Sequence, residues 1–390
     1  MKVISSTGKT VLNTFKKKFH RSAEYLVEAP GRVNLIGEHT DYNKGFVLPL
    51  AIDRVISIAL SPITEPEIRL FSLDFNHGIS LSLEHPMEKG SGWPEYLKGL
   101  IEIFKKNHFE VNGWRGIMAG DIPIGAGLSS SAALEIALSR AFAAVSNWDW
   151  NPKTMALISQ QVENEWVGIK CGVMDQMISA SGKMGHLFFL DCQSLEATHV
   201  PLPESVRIVI LDTDTRRGLV DSEYNERRNQ CESVARYFGT KTLRDVSIEQ
   251  LKKTELLLNP IEVKRARHVI LENKRVIESV EALHLGLMKK VGELMIASHI
   301  SLRDDFEVSS EALNHIVDCA IQAPGCYGAR MTGAGFGGCA VALVESKFTE
   351  KFVSQVVNNY HSSIGKRAVL YVCKASDGAS VFSKKESFSF

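Results

Sequence analysis

The chain has 390 residues, 44% of them hydrophobic and 23% charged, which excludes an intrinsically disordered protein and leaves room for one globular unit of two domains. Lysine plus arginine and aspartate plus glutamate number 45 each, so no overall field favours nucleic acid or an anionic membrane, and the expected ligands are small molecules. Seven scattered cysteines without CxxC spacing argue against a disulfide framework or a zinc site and are expected to be reduced and structural.

Residues 1–19 contain no apolar core of signal-peptide length, and no later run approaches the ~18 apolar residues of a membrane span, so a cytoplasmic location is expected. Residues 25–29 form a short strand-like run that Pro30 and Gly31 are expected to break. The stretch that follows is dense in polar chemistry: Arg32, Asn34, Glu38, His39, Asp41, Tyr42 and Asn43, with Val33, Leu35 and Ile36 between them. Each charge taken singly suits a solvated loop, whereas the joint pattern suits a site that hydrogen-bonds several hydroxyls of a sugar. Residues 46–60 and 68–83 read as strands around a proline-containing turn at 62–66. Residues 93–106 read as a helix whose Trp93 and Tyr96 either pack in the core or offer a flat face to a purine.

An apolar strand at 114–119 then runs into the turn Gly125, Ala126, Gly127 and Leu128. Ser129, Ser130 and Ser131 follow, and then a helix marked by Leu134, Leu138, Ala141 and Val145. Strand, small-residue loop and helix N-terminus together aim several N–H groups and the positive end of a helix dipole at one spot. Such a spot either binds phosphate or is a structural turn with a serine cap. Residues 151–166 are expected to be helical and carry Glu163. CGVMDQ at 171–176 puts Asp175 at the start of a further helix, where the dipole alone would suit an acid. Residues 186–190 and 207–212 look like strands, and the polar segment 195–204 is taken as the domain boundary. Helices are expected at 222–238, 260–283 and 285–300. The last motif, Arg330-MTGAGFGG-Cys339, precedes a strand-like AVALV. Two familiar phosphate motifs fail. GxGxxG at 333–338 opens a strand rather than a helix, and the sole GKT, at 8–10, has Val3 where the first P-loop glycine should stand.

Pro30-GRVNLIGEHTDY-Asn43, Pro123-IGAGLSSSAA-Leu134 and Arg330-MTGAGFGG-Cys339 resemble the three signature motifs of the GHMP small-molecule kinases, and the first resembles the galactokinase signature. The resemblance covers most of the chain, including CGVMDQ, RRGLVDSEYNERR at 216–228, HVILENKRV and SHISLRDDFEVS. It implies an α/β (α+β) fold of two domains, taken as 1–204 and 205–390, with ATP and sugar in the cleft between them. By motif position, Asp175 resembles the family's catalytic aspartate and Arg32 the arginine beside it. Glu38, His39, Asp41, Gly172 and Tyr224 match sugar-contacting positions, and Ser131 and Glu163 match those that hold Mg²⁺ against the phosphates. The second motif from Gly125 to Ser131, with Gly333 and Gly335 of the third, would line the phosphates, and Trp93 and Tyr96 match a segment near the adenine. The implied activity is ATP- and Mg²⁺-dependent phosphorylation of α-D-galactose at its anomeric hydroxyl, the first committed step of galactose utilisation in the Leloir pathway. The alternatives are action on N-acetylgalactosamine or another galactose-like sugar, or a non-catalytic sensor, against which the intact SSSAA and Asp175 weigh. A monomer or weak oligomer is expected, without nucleic acid or membrane.

Overall fold

The computed structural model describes residues 3–123, 125–215 and 220–384; position 124 of the glycine turn and positions 216–219 of the RRGLVDSEYNERR stretch lie outside them. A six-stranded sheet is built in the order Ser380–Ser383, Tyr25–Asn34, Pro49–Pro62, Trp114–Gly120, Glu67–Ser72, His77–Ser82. Alternation along its strands sends Val27, Ile58, Leu60 and Met118 to one face and Leu26, Ala59, Ile117 and Ala119 to the other. The first set meets Leu100, Phe104, Leu138, Phe142, Met155 and Met177 from four helices, Pro94–Lys106, Ser130–Ser146, Pro152–Gln161 and Met174–Ser181. The second set is covered by Val11, Leu12 and Phe15 of the helix Ser6–Phe19, an element the sequence reading left unassigned.

A four-stranded sheet, in the order Cys326–Met331, Cys339–Glu345, Val206–Asp212, Val369–Cys373, forms the second lobe. One of its faces packs Val209, Leu211, Ala340 and Ala342 against Val234, Leu313, Phe352 and Val356. Its other face, through Ile208, Ile210, Val341 and Leu343, joins Leu35, Ile36, Leu50, Ile52 and Ile122 of the first lobe and Val291 and Met295 of the helix Met288–Asp304 in one shared core. An apolar seam therefore seals the lobes behind the polar motifs, and the cleft between them has a fixed floor.

Several local expectations change. The first strand continues through Pro30 to Asn34 instead of breaking, with its register shifting between Pro30 and Arg32, so the arginine is delivered by a strand rather than a loop. Residues 68–83 make a hairpin of Glu67–Ser72 and His77–Ser82. The polar segment 195–204 contains the strand Ala197–Pro201, paired with His186–Asp191 in a small third sheet that also holds Phe46–Val47. The second sheet begins at Val206, close to the division at 204/205, but the 205–390 unit does not keep its last strand. Ser380–Ser383 returns to the first sheet beside Tyr25–Glu28, because residues 374–379 lead back across the seam. All seven cysteines are free, and four of them are buried. Among the described residues no helix is long and apolar enough to cross a membrane.

The helix Met288–Asp304 lies directly on the strand Cys326–Met331 because Gly292 and Gly328 face each other; a Cβ on Gly292 would sit 1.9 Å from the Tyr327 carbonyl oxygen. Gly292→Ala must push helix and strand apart, and it is expected to lower stability by about 2 kcal/mol or more, as overpacked cores do, in urea unfolding.

Candidate active site

Arg32 leaves the first strand and meets Asp175 in a two-pronged ion pair, Nε to Oδ1 at 2.7 Å and one terminal nitrogen to Oδ2 at 2.6 Å. Its other terminal nitrogen donates to the Gly127 carbonyl at 2.6 Å, and the Leu128 carbonyl accepts from the Arg32 backbone N–H at 3.1 Å. The Arg32 side chain is 7% exposed and that of Asp175 is 29% exposed. Burial alone would lower the guanidinium pKa, but the charges of Asp175, Glu38 and Asp41 carry it above its ordinary value. Asp175 occupies the first turn of Met174–Ser181, as expected, and Ser129 adds a third tie by donating its hydroxyl to Oδ2.

This last bond revises the serine's expected task. Ser129 stands at the N-cap position of Ser130–Ser146 in the left-handed region (φ 57°, ψ 48°), but its side chain caps nothing. A left-handed non-glycine residue is uncommon, and here it turns the hydroxyl toward the aspartate. Gly127, at φ 74°, supplies the preceding reversal that brings its carbonyl to Arg32. Ala126 and Leu128 are buried, so their side chains offer no surface to a ligand.

A polar cavity of about 400 Å³ opens beside this pair and collects Arg32, Glu38, His39, Asp41, Ser131, Glu163, Gly172, Asp175, Tyr224 and Gly333. Glu38 is held through Oε1, which accepts from the Thr332 hydroxyl at 2.9 Å and the Gly333 N–H at 2.8 Å. His39, at φ 61°, has its pKa lowered to about 3, mainly by burial, and is neutral at physiological pH. Because the Ala334 carbonyl, 3.3 Å from Nε2, can only accept, Nε2 carries the hydrogen and Nδ1 accepts from the Tyr42 hydroxyl at 2.8 Å. Tyr224, on the helix Val220–Tyr237, closes the wall with its ring 5.6 Å from His39 and 5.1 Å from Tyr42. Gly172 lies flat against Asp41, where any Cβ would strike the carboxylate at 1.9 Å.

Glu163 projects from a π-helical turn, Val162–Val167, that extends the helix Pro152–Gln161; local distortions of this kind re-aim a side chain. Burial raises its pKa and the Asp175 charge adds to this, while contacts with Cys171, Ser131 and Gln176 oppose it. Buried Glu135 is also raised, first by burial and then by the Glu163 charge. Among the described residues no three histidine, cysteine or acidic side chains gather as a metal cage. One hydroxyl and one carboxylate are hard oxygen donors suited to Mg²⁺ held mainly by phosphate oxygens and water.

A second cavity, of about 740 Å³, lies on the other side of Ser131, and the two share Ser131 and Val167. Its walls are Trp93, Tyr96, Phe75, Met118, Leu134 and Trp166, with Ser130 at the helix start. Trp93 is buried among core residues, as its packing reading expects, and also lines this cavity. Gly333 approaches Gly127, its virtual Cβ standing 3.4 Å from the Gly127 oxygen, so the two glycine turns face each other. Gly335 instead packs on the Val308 carbonyl and lines neither cavity. Trp166 and Phe75 escaped the sequence reading; the only signal for Trp166 was its place three residues after Glu163.

Three family signatures match this chain: the GHMP kinase N-terminal domain over residues 95–183, the GHMP kinase C-terminal region over 279–362, and the galactokinase galactose-binding signature over 13–62. Fold and site thus define a GHMP kinase. Lactococcus lactis galactokinase, solved in complex with galactose, is 33% identical over 95% of this chain and 98% of its own, with a TM-score of 0.90. The chain therefore belongs to the galactokinase family and is an enzyme of that class. The fold extends to mevalonate kinases. The Methanococcus jannaschii enzyme is 19% identical over 92% of this chain and all of its own, with a TM-score of 0.67. The L. major enzyme is 16% identical over 90% of this chain and 95% of its own, with a TM-score of 0.60.

Burial and the Asp175 charge push the Asp41 carboxyl up to about 6. An acid whose folded value lies above its unfolded value near 3.8 costs stability once ionised: the cost is absent below about pH 4 and complete above about pH 6. Asp41→Asn is expected to stabilise the unliganded protein at pH 7.5 by up to about 3 kcal/mol and to flatten its stability between pH 4 and 6, read by urea unfolding across that range.

Proposed function

We propose that this enzyme transfers the γ-phosphoryl group of ATP to the anomeric hydroxyl of α-D-galactose, giving α-D-galactose 1-phosphate and ADP, the entry step of galactose utilisation in the cytoplasm. The observation that carries the reading is the pair of cavities meeting at Ser131: an aromatic one sized for a nucleoside and a polar one lined by acids, on opposite sides of a helix start. A nucleotide lying across that start would present its phosphates to the N–H groups of the second motif and to the dipole of Ser130–Ser146. Its base would lie between Trp93, Tyr96 and Trp166, and its terminal phosphate would point toward Asp175.

In phosphoryl transfer the protein mostly aligns the reactants and offsets charge on the equatorial oxygens. Of the acceptor positions on Asp175, Oδ2 takes Arg32 and Ser129 and Oδ1 takes Arg32 alone, so Oδ1 keeps a lone pair for the sugar's O1–H. The O1 oxygen attacks the γ-phosphorus, the bond to the β–γ bridging oxygen breaks with its electron pair leaving on ADP, and the O1 proton passes to Asp175. Arg32 fixes the direction of that carboxylate, which a lysine without a planar fork would not do. Ser131 and Glu163 would hold Mg²⁺, which when bound neutralises charge on the phosphates.

Galactose would lie in the polar cavity with Glu38, Asp41 and Tyr224 around its hydroxyls. His39 can offer Nε2 only by giving up its 3.3 Å contact with Ala334. A cavity of acids that lose their hydroxyl partners rejects an analogue far more strongly than an apolar pocket does. A coupled ADP-release assay over a sugar panel is expected to show glucose used at least ~10³-fold less efficiently than galactose, and Asp175→Asn turning over galactose at least ~10²-fold more slowly while still binding it. Equal use of the two sugars, preference for N-acetylgalactosamine, or near-native turnover by Asp175→Asn would each overturn the assignment it tests.

A further inference from the structure

The third glycine motif reaches into the sugar side of the site as well as the phosphate side. Arg330, fully buried on the strand Cys326–Met331, crosses the seam and donates to the Asn34 carbonyl at 3.2 Å, the Leu35 carbonyl at 3.3 Å and Glu38 Oε1 at 3.4 Å. Thr332 shares its single hydroxyl hydrogen between the Asn34 carbonyl at 3.1 Å and Glu38 Oε1 at 2.9 Å, and the Gly333 N–H donates to that same oxygen at 2.8 Å. Every protein hydrogen bond to the Glu38 carboxylate among the described residues thus comes from three residues of one motif and lands on one oxygen, Oε1, while Glu38 lines the polar cavity and its Oε2 takes none of them.

The anchor is itself braced. Arg330 Nε donates to the Ser298 hydroxyl at 3.2 Å, and that hydroxyl donates to Glu272 Oε1 at 2.6 Å. The same Glu272 oxygen accepts the Gly37 backbone N–H at 3.0 Å, one residue before Glu38 in the chain. A closed circuit therefore joins the strand Cys326–Met331, the helices Met288–Asp304 and Pro260–His284, and the turn that bears Glu38. Circuits of this kind in a low-dielectric interior fix one geometry, since any displaced member leaves a charge or a donor unpaired.

We propose that Arg330 and Thr332 are specificity-determining positioning residues: by saturating Glu38 Oε1 they aim Oε2 at one particular hydroxyl of galactose. The third motif thereby sets sugar discrimination in addition to lining the phosphate side. This rests on the assignment of Glu38 to the sugar. Neither side chain touches substrate; both act through Glu38.

The test compares galactose with each of its monodeoxy analogues in the parent, Glu38→Ala, Thr332→Val and Arg330→Lys, with ATP saturation measured alongside. In the parent each missing hydroxyl carries its own loss in kcat/KM, and Glu38→Ala is expected to abolish that loss for one analogue. Thr332→Val, which keeps the shape and removes one donor to a charged acceptor, is expected to lower kcat/KM for galactose about tenfold, mainly through KM. It should shrink the loss for that same analogue only and leave the KM for ATP unchanged. Arg330→Lys keeps the charge but not the fork and should give the same single-analogue pattern, which preserves the test if the valine variant folds poorly. Uniform weakening toward galactose and every analogue would mark a merely structural role and overturn the proposal. If Glu38→Ala changes no analogue's loss, the sugar assignment of Glu38 falls first and takes the proposal with it, an outcome distinct from the pattern in which Glu38→Ala acts and the other two variants do not.

Discussion

Three separate pieces of chain converge because Arg32 has three prongs and all are spoken for. Its fork takes both oxygens of Asp175, and its remaining nitrogen takes the carbonyl of Gly127 in the glycine turn of the second motif. A buried ion pair is weak evidence for stability, since desolvation consumes much of the Coulombic gain, but breaking one is costly because the remaining charge is stranded. The pair is better understood as a rigid strut. It spaces a strand, a phosphate-type turn and the start of a helix so that one aspartate lone pair faces the polar cavity. Ser129 accepts an uncommon backbone conformation to strengthen the same strut.

Around that strut the charge is lopsided. Asp41, Glu163 and Glu135 are all pushed toward the neutral form by burial and by one another or Asp175, while Arg32 faces Asp175, Glu38 and Asp41 and Arg330 stands behind Glu38. Such a cavity repels a bare triphosphate. On the proposed assignment it would become hospitable once sugar hydroxyls met Asp41 and Glu38 and a divalent cation stood between Glu163 and the phosphates. On the same assignment the acids create a need that sugar and metal would jointly answer, and the dipole and N–H groups at the start of Ser130–Ser146 would answer the nucleotide.

How much of this could be read in the chain depends on sequence separation. Motif content was legible: the strand before the glycine turn, the helix after it, Asp175 in a first helical turn, and the acids at 38 and 41 all stand where local pattern placed them. The course of the backbone near Pro30 was not, because an irregular register lets a proline sit inside a strand whose neighbours supply the pairing. Ser129 resembled a cap because serine favours caps, and only the distant Asp175 diverts it. What Arg330 and Trp166 reach was not legible for a related reason: the Arg330–Glu38 contact spans 292 residues, and Trp166 joins Tyr96 in lining a cavity that local pattern does not reveal. The closing strand Ser380–Ser383 pairs with Tyr25–Glu28 at a similar remove.

The central claim is that the Arg32–Asp175 strut aims one carboxylate at one hydroxyl of galactose. Phosphorus and proton NMR of the product made from galactose and ATP reads that aim directly. A single product phosphorylated at the anomeric carbon in the α configuration is predicted. Phosphate on any other carbon, or release of inorganic phosphate without a sugar product, would contradict it.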